Sequence, residues 1–226
     1  VGSTMTPEVA VRYGAAFGRH LKTIGAADEP AAYVIVGRDS RTSGDLLSAA
    51  AAAGLRSAGV AVRRAGIAPT PTLLLAVRDD DRAVGGLVLT ASHNPVEWNG
   101  LKLAAGNGMF VSPETGLAVQ RLFEEGAELA DWNGLGSGGT LEGVAEHHID
   151  RVLSLPLLDV EASRRRAPVV ALDCVDGAGG VVVPELVRRL GCQVEGIGLA
   201  TDGLFPRAPE PIPANLGELS RLVRSS

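Results

Sequence analysis

The amino-acid sequence predicts an α/β protein, because short apolar runs alternate with segments that have the period and the caps of amphipathic helices. Hydrophobic residues make up 46% of the 226 residues, which is enough to build a packed core. Glycines and polar loops follow the apolar runs and separate them from the helical segments. This alternation is typical of βα units.

Two helices are predicted from similar starts, in which a hydroxyl residue is followed by proline and glutamate, at residues 6–8 and 112–114. The first helix carries apolar residues near a period of 3.6 and stops at Gly25. Two further helices of this part are predicted over residues 44–58 and 70–75.

The remaining predicted elements are short strands and a second, smaller α/β unit. Apolar runs predict strands over residues 33–36, 60–62, 85–89 and 101–103. Further along, a helix that stops at Gly191 separates two more strands, over residues 169–172 and 192–194. These elements and the start of another helix bury little surface, so we expect the second unit to be incomplete.

Three segments are predicted along the chain. Residues 1–132 form a first domain, and residues 167–226 form part of a second. Residues 133–166 connect them as a surface linker followed by a helix, because four of the eight residues 133–140 are glycines. The first residue is not methionine, and a helical pattern begins close to the last, so we expect a piece of a longer protein.

Charge and cysteine content exclude several classes of protein. The net charge is −5 and the basic residues are scattered, which argues against binding of nucleic acid. Charged residues interrupt the long apolar runs, so neither a membrane-spanning helix nor a membrane partner is expected. Cys174 and Cys192 fit neither a CxxC motif nor a disulfide framework, which favours a reducing, cytoplasmic location.

The segment with the most chemical content is residues 90–102, which read TASHNPVEWNGLK and follow a predicted strand. Ligands of α/β proteins commonly bind at this end of a strand. Ser92 is a candidate phosphoryl acceptor, with His93 and Lys102 as groups that move a proton or stabilise negative charge. The structural alternative is a loop in which Ser92 and Asn94 only form local hydrogen bonds.

Residues 90–102 resemble the active-site serine loop of the α-D-phosphohexomutases, which reads T-A-S-H-N-P and ends in an N-G-x-K pattern. Four further segments resemble the same family in the same order: its first helix, its V-G-R-D-x-R-x-S-G segment, the start of its second domain, and its F-P...P-E-P...N-L stretch. They lie at residues 6–17, 36–44, 170–180 and 205–216. Residues 97–99 and 202–205 are most similar to the archaeal-type phosphoglucosamine mutases.

The resemblance implies a three-layer α/β/α domain with a mixed sheet, followed by an incomplete second domain of similar type. It also implies an isomerase, in which Ser92 hands a phosphoryl group to a hexose phosphate, forms a bisphosphorylated sugar and takes a phosphoryl group back. His93 and Lys102 would be the other catalytic residues. Residues expected to bind the substrate are Asn94, Asn99, Arg38 and Arg41. For the two arginines, pairing with Asp39 and capping of the next helix is an equally good interpretation.

Mg²⁺ is the cofactor that the resemblance implies. The phosphoryl group on Ser92 would be one ligand, and the family's aspartate ligands lie in a loop that this sequence does not contain. We therefore expect residues 1–226 alone to be inactive.

The implied reaction converts glucosamine 6-phosphate to glucosamine 1-phosphate. Phosphomannomutase or phosphoglucomutase activity is one alternative, and a noncatalytic sugar-phosphate-binding module is another. The implied partner is a hexose phosphate, and the expected assembly is a monomer or a homodimer.

Two other polar clusters are predicted to be structural. Asp79, Asp80 and Asp81 have a spacing that metal motifs use, but they lie in a polar segment between arginines, so we expect a solvated charge cluster. His147 and His148 lack a third metal-type ligand nearby and are expected to face solvent.

Overall fold

The first sheet has five strands, and one of them runs against the others. In the computed structural model, which describes residues 1–225, the strands are β1 (Tyr33–Arg38), β2 (Ala61–Ile67), β3 (Ala83–Leu89), β4 (Leu101–Ala105) and β5 (Gly138–Thr140). Their order is β4-β3-β1-β2-β5, with β4 antiparallel to β3 and every other pair parallel. The predicted mixed sheet is confirmed.

Helices cover both faces of this sheet. They are α1 (Pro7–Thr23), α2 (Gly44–Ser57), α3 (Thr70–Asp79), α4 (Pro113–Glu125) and α5 (Val144–Leu153). Alternate side chains of β1 point to opposite faces, so that Val34 and Val36 are buried with α1 and α2, and Tyr33 and Ile35 with α3. The predicted three-layer arrangement is confirmed, and burial of these apolar faces drives its formation.

The two proline-containing helix starts are also confirmed. Thr6 Oγ1 accepts a hydrogen bond from the Val9 N–H at 3.2 Å, and Ser112 Oγ accepts one from the Thr115 N–H at 3.2 Å. In both helices proline occupies the first turn, where a missing N–H costs no intrahelical bond. Local chemistry is therefore sufficient to locate both starts.

Two glycines let α1 and α2 cross closely. A Cβ at Gly54 would lie 2.0 Å from the Val11 carbonyl oxygen, and one at Gly14 would lie 2.2 Å from the Ala51 carbonyl oxygen. Because backbone atoms cannot swing aside, we expect Gly54→Ala to lower the free energy of unfolding by about 2–3 kcal/mol. Gly116→Ala in α4 is the matched control, since its Cβ would meet nothing within 4 Å. Urea denaturation measures both variants, and equal free energies would contradict this role of Gly54.

The glycine-rich segment is the main departure from the predicted elements. The sequence predicts a surface loop over residues 133–140, whereas β5 pairs with β2 and extends the sheet. Backbone groups alone form such a ladder, so glycines can join it. Gly136 lies so close to Val60, the residue before β2, that a Cβ would be 2.1 Å from the Val60 carbonyl oxygen. The loop prediction is therefore wrong for Gly138–Thr140, and the sheet extends past the predicted boundary at residue 132.

The predicted connecting helix is two helices. Helix α5 ends at Leu153, and a second helix, α6 (Val160–Arg166), begins after a short non-helical segment. Ile149 of α5 is buried, and α5 packs against α3. Helix α5 is thus part of the outer layer of the first sheet and not a free connection.

The second unit is small. It contains β6 (Val169–Asp173), α7 (Val183–Arg189), β7 (Gln193–Ile197) and α8 (Gly217–Ser225), and its two strands are parallel. In the part of the chain that the structure describes, both clusters of buried apolar side chains lie around the first sheet. We therefore expect the second unit to be the less stable one. None of the helices within residues 1–225 is both long and apolar enough to cross a membrane.

Candidate active site

Ser92 lies beyond the carboxyl end of β3, in a loop over residues 90–99 that we call the serine loop. Its side chain is exposed, and its φ of 58° lies in the left-handed region that serine rarely adopts. The Ser92 N–H donates a hydrogen bond to Thr90 Oγ1 at 3.0 Å, and Ser92 Oγ is 3.4 Å from His93 Nδ1. The loop thus presents the Ser92 hydroxyl beside the His93 imidazole. The strained backbone of Ser92 must be stabilised by contacts with neighbouring residues.

A buried arginine binds the backbone of the serine loop. Arg41 has no exposed side-chain surface, and its Nη2 donates hydrogen bonds to the carbonyl oxygens of Ser92 at 3.2 Å and Asn94 at 2.6 Å. Its Cζ lies 5.0 Å from the centroid of the Phe205 ring. Arg41 is thus buried beneath the serine loop, and a role in substrate binding stays a prediction.

Asp39 is the counter-charge of Arg41. Its Oδ2 is 3.3 Å from Arg41 Nε and accepts a hydrogen bond from Thr90 Oγ1 at 2.7 Å, and its Oδ1 accepts one from the Arg41 N–H at 3.0 Å. Burial lowers the pKa of Arg41 from its ordinary value, and the negative charges of Asp39 and Glu97 oppose that change. The pairing of Arg41 with Asp39, which the sequence left as an alternative, is therefore present.

The second unit supplies the opposite wall of a cleft of about 330 Å³. Lining residues from the two units include Asp39, Thr90, Ser92, His93, Cys174, Gly177, Phe205, Pro209 and Pro211. At the end of β6, Val175 and Asp176 have φ values of 49° and 52°, so both walls contain strained backbone. Glu210 Oε1 is 4.0 Å from His93 Nε2. The sequence assigned no role to Phe205 or Glu210, because nothing local places them beside Ser92.

The side chains of Asn94 and Asn99, which were predicted to bind substrate, form hydrogen bonds within the protein. Asn94 Nδ2 donates a hydrogen bond to the Ala91 carbonyl oxygen at 2.9 Å, and Asn99 Nδ2 donates one to Ser43 Oγ at 3.0 Å. Both amides therefore stabilise the serine loop, as the structural alternative holds for Asn94. Binding of substrate by either amide stays a prediction.

Within residues 1–225, neither Arg38 nor Lys102 forms a hydrogen bond with the Ser92 hydroxyl. Arg38 lines a separate cavity of about 240 Å³, and its Nη1 donates a hydrogen bond to the Asp39 carbonyl oxygen at 3.1 Å. Lys102 Nζ lies 5.7 Å from the centroid of the Phe110 ring. Within residues 1–225, no hydrogen bond or ion pair joins Lys102 to the serine loop. The predicted hairpin-like return is present, because β4 runs antiparallel to β3 and Lys102 lies opposite Val88. A catalytic role of Lys102 beside Ser92 stays a prediction.

Comparison with known proteins decides the family. Residues 1–130 match the model of the phosphoglucomutase/phosphomannomutase α/β/α domain I, and residues 146–226 match that of domain II. The chain belongs to the phosphoglucomutase/phosphomannomutase family. The resemblance inferred from the serine loop is thereby confirmed.

Members of this family match the chain along nearly its whole length. A "Phosphoglucomutase/phosphomannomutase" from Thermococcus kodakarensis is 41% identical over 98% of the chain, and a "Probable phosphoglucosamine mutase" from Methanopyrus kandleri is 35% identical over 100% of it. The chain spans 47% of each of these relatives. The crystal structure of a phosphoglucomutase/phosphomannomutase family protein from Burkholderia thailandensis matches with a TM-score of 0.85 and 27% identity. The match covers 100% of this chain and 48% of the Burkholderia chain.

A magnesium site is not assembled by residues 1–225 alone. No group of three or more His, Cys, Asp or Glu side chains in this range could hold a metal ion. Mg²⁺ is coordinated by six oxygen atoms, and Ser92 would supply one through its phosphoryl group. The residues present therefore do not fit the ion by themselves.

Asp79, at the end of α3, forms ion pairs with α5. Asp79 Oδ2 is 2.9 Å from His147 Nε2 and 3.2 Å from Arg151 Nε. His148 Nδ1 is 2.7 Å from Thr72 Oγ1. Both histidines thus bind α5 to α3 and are half-buried, which corrects the prediction that they face solvent. The aspartates do form a charge cluster at the surface, in which Asp79 and Asp80 pair with the exposed Arg78 and Arg82. Sequence spacing could not show that these two helices pack together.

Asp79 is expected to make stability depend on pH. A hydrogen bond from Arg78, and a further one from His147, hold the pKa of Asp79 below its ordinary value. A carboxyl group with a lowered folded-state pKa stabilises the protein above its unfolded pKa, and this contribution is lost as the pH falls through the folded value. Asp79→Asn should therefore lower the melting temperature at pH 7 and flatten its decline below about pH 4. Thermal unfolding against pH measures this, with exposed Asp131→Asn as control. Parallel curves for Asp79→Asn and the wild type would contradict it.

Proposed function

We propose that the chain is the phosphoserine-bearing part of a phosphohexomutase, with Ser92 as the phosphoryl carrier. The observation that carries the proposal is the placement of the Ser92 hydroxyl. It is exposed at a cleft between the two units, lies 3.4 Å from His93 Nδ1, and belongs to a loop that Arg41 holds by its carbonyl oxygens. A hydroxyl that gives and takes a phosphoryl group must be both open to the sugar phosphate and fixed in direction.

Each transfer exchanges one phosphorus–oxygen bond for another. The bond between phosphorus and Ser92 Oγ breaks, a bond forms between phosphorus and a hydroxyl oxygen of the hexose phosphate, and the proton of that hydroxyl is lost while Ser92 Oγ gains one. His93 is the side chain beside Ser92 Oγ that can supply that proton. After the bisphosphorylated sugar reorients, the reverse transfer removes the other phosphoryl group, and the net reaction is an isomerisation.

Charge repulsion is the main obstacle to this reaction. A phosphoserine carries about −1.5 to −2 charges near neutral pH, and the sugar phosphate is also anionic. The buried Arg41 is already paired with Asp39, so it offsets little of this charge. Mg²⁺ would supply positive charge when bound, with further ligands from outside residues 1–225. We therefore expect no mutase turnover from residues 1–226 alone.

The substrate that we propose is glucosamine 6-phosphate, and the product is glucosamine 1-phosphate. The names of the relatives support this reaction and also the glucose and mannose phosphates. The test uses the full-length protein with Mg²⁺ and a trace of hexose 1,6-bisphosphate, and follows the 6-phosphates of glucosamine, glucose and mannose by ³¹P NMR. Glucosamine 6-phosphate should be converted fastest. A faster reaction of another sugar phosphate would overturn the substrate assignment. If none of the three sugar phosphates is converted, the proposed mutase activity is overturned.

A further inference from the structure

Arg41 connects three parts of the protein that are far apart in sequence. It follows β1, it binds the carbonyl oxygens of Ser92 and Asn94, and it lies over the Phe205 ring of the second unit. Its side chain is completely buried and its charge is matched by Asp39. Burying a cation is costly even when it is paired, so the presence of Arg41 at this position indicates a specific role.

That role concerns the backbone geometry of Ser92. A serine in the left-handed region is strained, and it persists only where neighbouring groups hold it. The Ser92 and Asn94 carbonyl oxygens lie on either side of the turn, and a single guanidinium nitrogen binds both. Arg41 therefore fixes the direction in which the Ser92 backbone presents its hydroxyl, without touching the hydroxyl itself.

The second unit contacts the same arginine. Gly203 has a φ of 71° and lies close to Ser40, the residue before Arg41. A Cβ on Gly203 would lie 2.2 Å from the Ser40 carbonyl oxygen. This approach places the Phe205 ring 5.0 Å from Arg41 Cζ, within the range of a cation–π interaction. Any shift of the second unit would therefore change the surroundings of Arg41.

We propose that Arg41 is a positioning residue that holds the serine loop, and that Phe205 of the second unit in turn holds Arg41. The orientation of Ser92 thus depends on docking of the second unit onto the first. The consequence for turnover rests on the proposed function, whereas the consequence for the loop does not.

Four variants of the full-length protein test this coupling. Phe205→Leu removes the ring, Phe205→Tyr keeps it, and Arg41→Lys keeps the charge without the guanidinium. Leu204→Ala is the matched control, because Leu204 is the exposed neighbour of Phe205. Hydrogen exchange of the Ser92 and Asn94 amides reports on the loop, exchange in β6 reports on the second unit, and kcat and KM for the sugar phosphate report on function.

For Phe205→Leu we expect loop exchange to be about tenfold faster and kcat about tenfold lower, with KM within about twofold. Phe205→Tyr should restore both values, and Arg41→Lys should loosen the loop while β6 exchange stays unchanged. Loop exchange in Phe205→Leu equal to that in Leu204→Ala would overturn the role of Phe205. If Phe205→Leu also loosens β6, Arg41→Lys decides, and an unchanged loop there would overturn the proposal. Turnover that survives Ser92→Ala would instead overturn the proposed function and leave the exchange result standing.

Discussion

Ser92→Ala is expected to lower kcat of the full-length protein by at least about a thousandfold, because no oxygen remains to carry the phosphoryl group. The loop should keep its shape, since Arg41 binds the backbone carbonyl oxygens of Ser92 and Asn94 and not the hydroxyl. Ser92→Gly should lose as much activity, and glycine tolerates the φ of 58° without strain. Conversion of the sugar phosphate, followed by ³¹P NMR, measures both losses.

Ser154→Ala is the matched control for this experiment. Ser154 is an exposed serine at the end of α5, and its hydroxyl donates a hydrogen bond to the Arg151 carbonyl oxygen at 2.8 Å. It does not line the cleft, so kcat should stay within about twofold of the wild type. Similar rates for Ser92→Ala and Ser154→Ala would refute the role given to Ser92.

Asp39→Asn is expected to lower the free energy of unfolding by about 3–5 kcal/mol, because it leaves the Arg41 cation buried without a counter-charge. Within residues 1–225, Arg41 Nε and Nη1 have no hydrogen-bond partner, so the charge of Asp39 is the main compensation for burying them. The bond from Thr90 Oγ1 to Asp39 would also be weakened. Urea denaturation measures the loss of stability.

Asp28→Asn is the control for the loss of a charge. Asp28 Oδ1 is 3.7 Å from Lys22 Nζ, and the Asp28 side chain is 65% exposed. Exposed ion pairs contribute less than about 1 kcal/mol, so this variant should unfold almost like the wild type. Equal losses in the two variants would show that Arg41 does not depend on Asp39.

Features that depend on local chemistry were predictable from the sequence. The caps of α1 and α4 follow from a hydroxyl before proline and glutamate, and strands β1 to β4 of the first sheet follow from apolar runs. The exposed loop after β3 and its serine were predictable too, because the carboxyl end of a strand is where such loops bind ligands. These predictions need only neighbours along the chain.

Features that depend on distant contacts were not predictable. Gly138–Thr140 forms a strand because its backbone groups pair with those of β2. Glycines have no side chains, so the sequence contains no hydrophobic pattern that would predict this strand. The arginine expected in substrate binding is buried because Phe205, more than a hundred residues later, covers it. Likewise, His147 and His148 bind α3 only because α5 packs on that helix. In each case the deciding partner lies in another part of the fold.

The phosphorylation state of the purified full-length protein tests the central claim most directly. Intact mass gives the number of phosphoryl groups, and peptide mapping after incubation with a hexose 1,6-bisphosphate gives their position. A single phosphoryl group on Ser92, absent from Ser92→Ala, is the predicted result. An unmodified protein after that incubation, or a phosphoryl group on neighbouring Ser40 or Ser43 in place of Ser92, would contradict the assignment of Ser92 as the phosphoryl carrier.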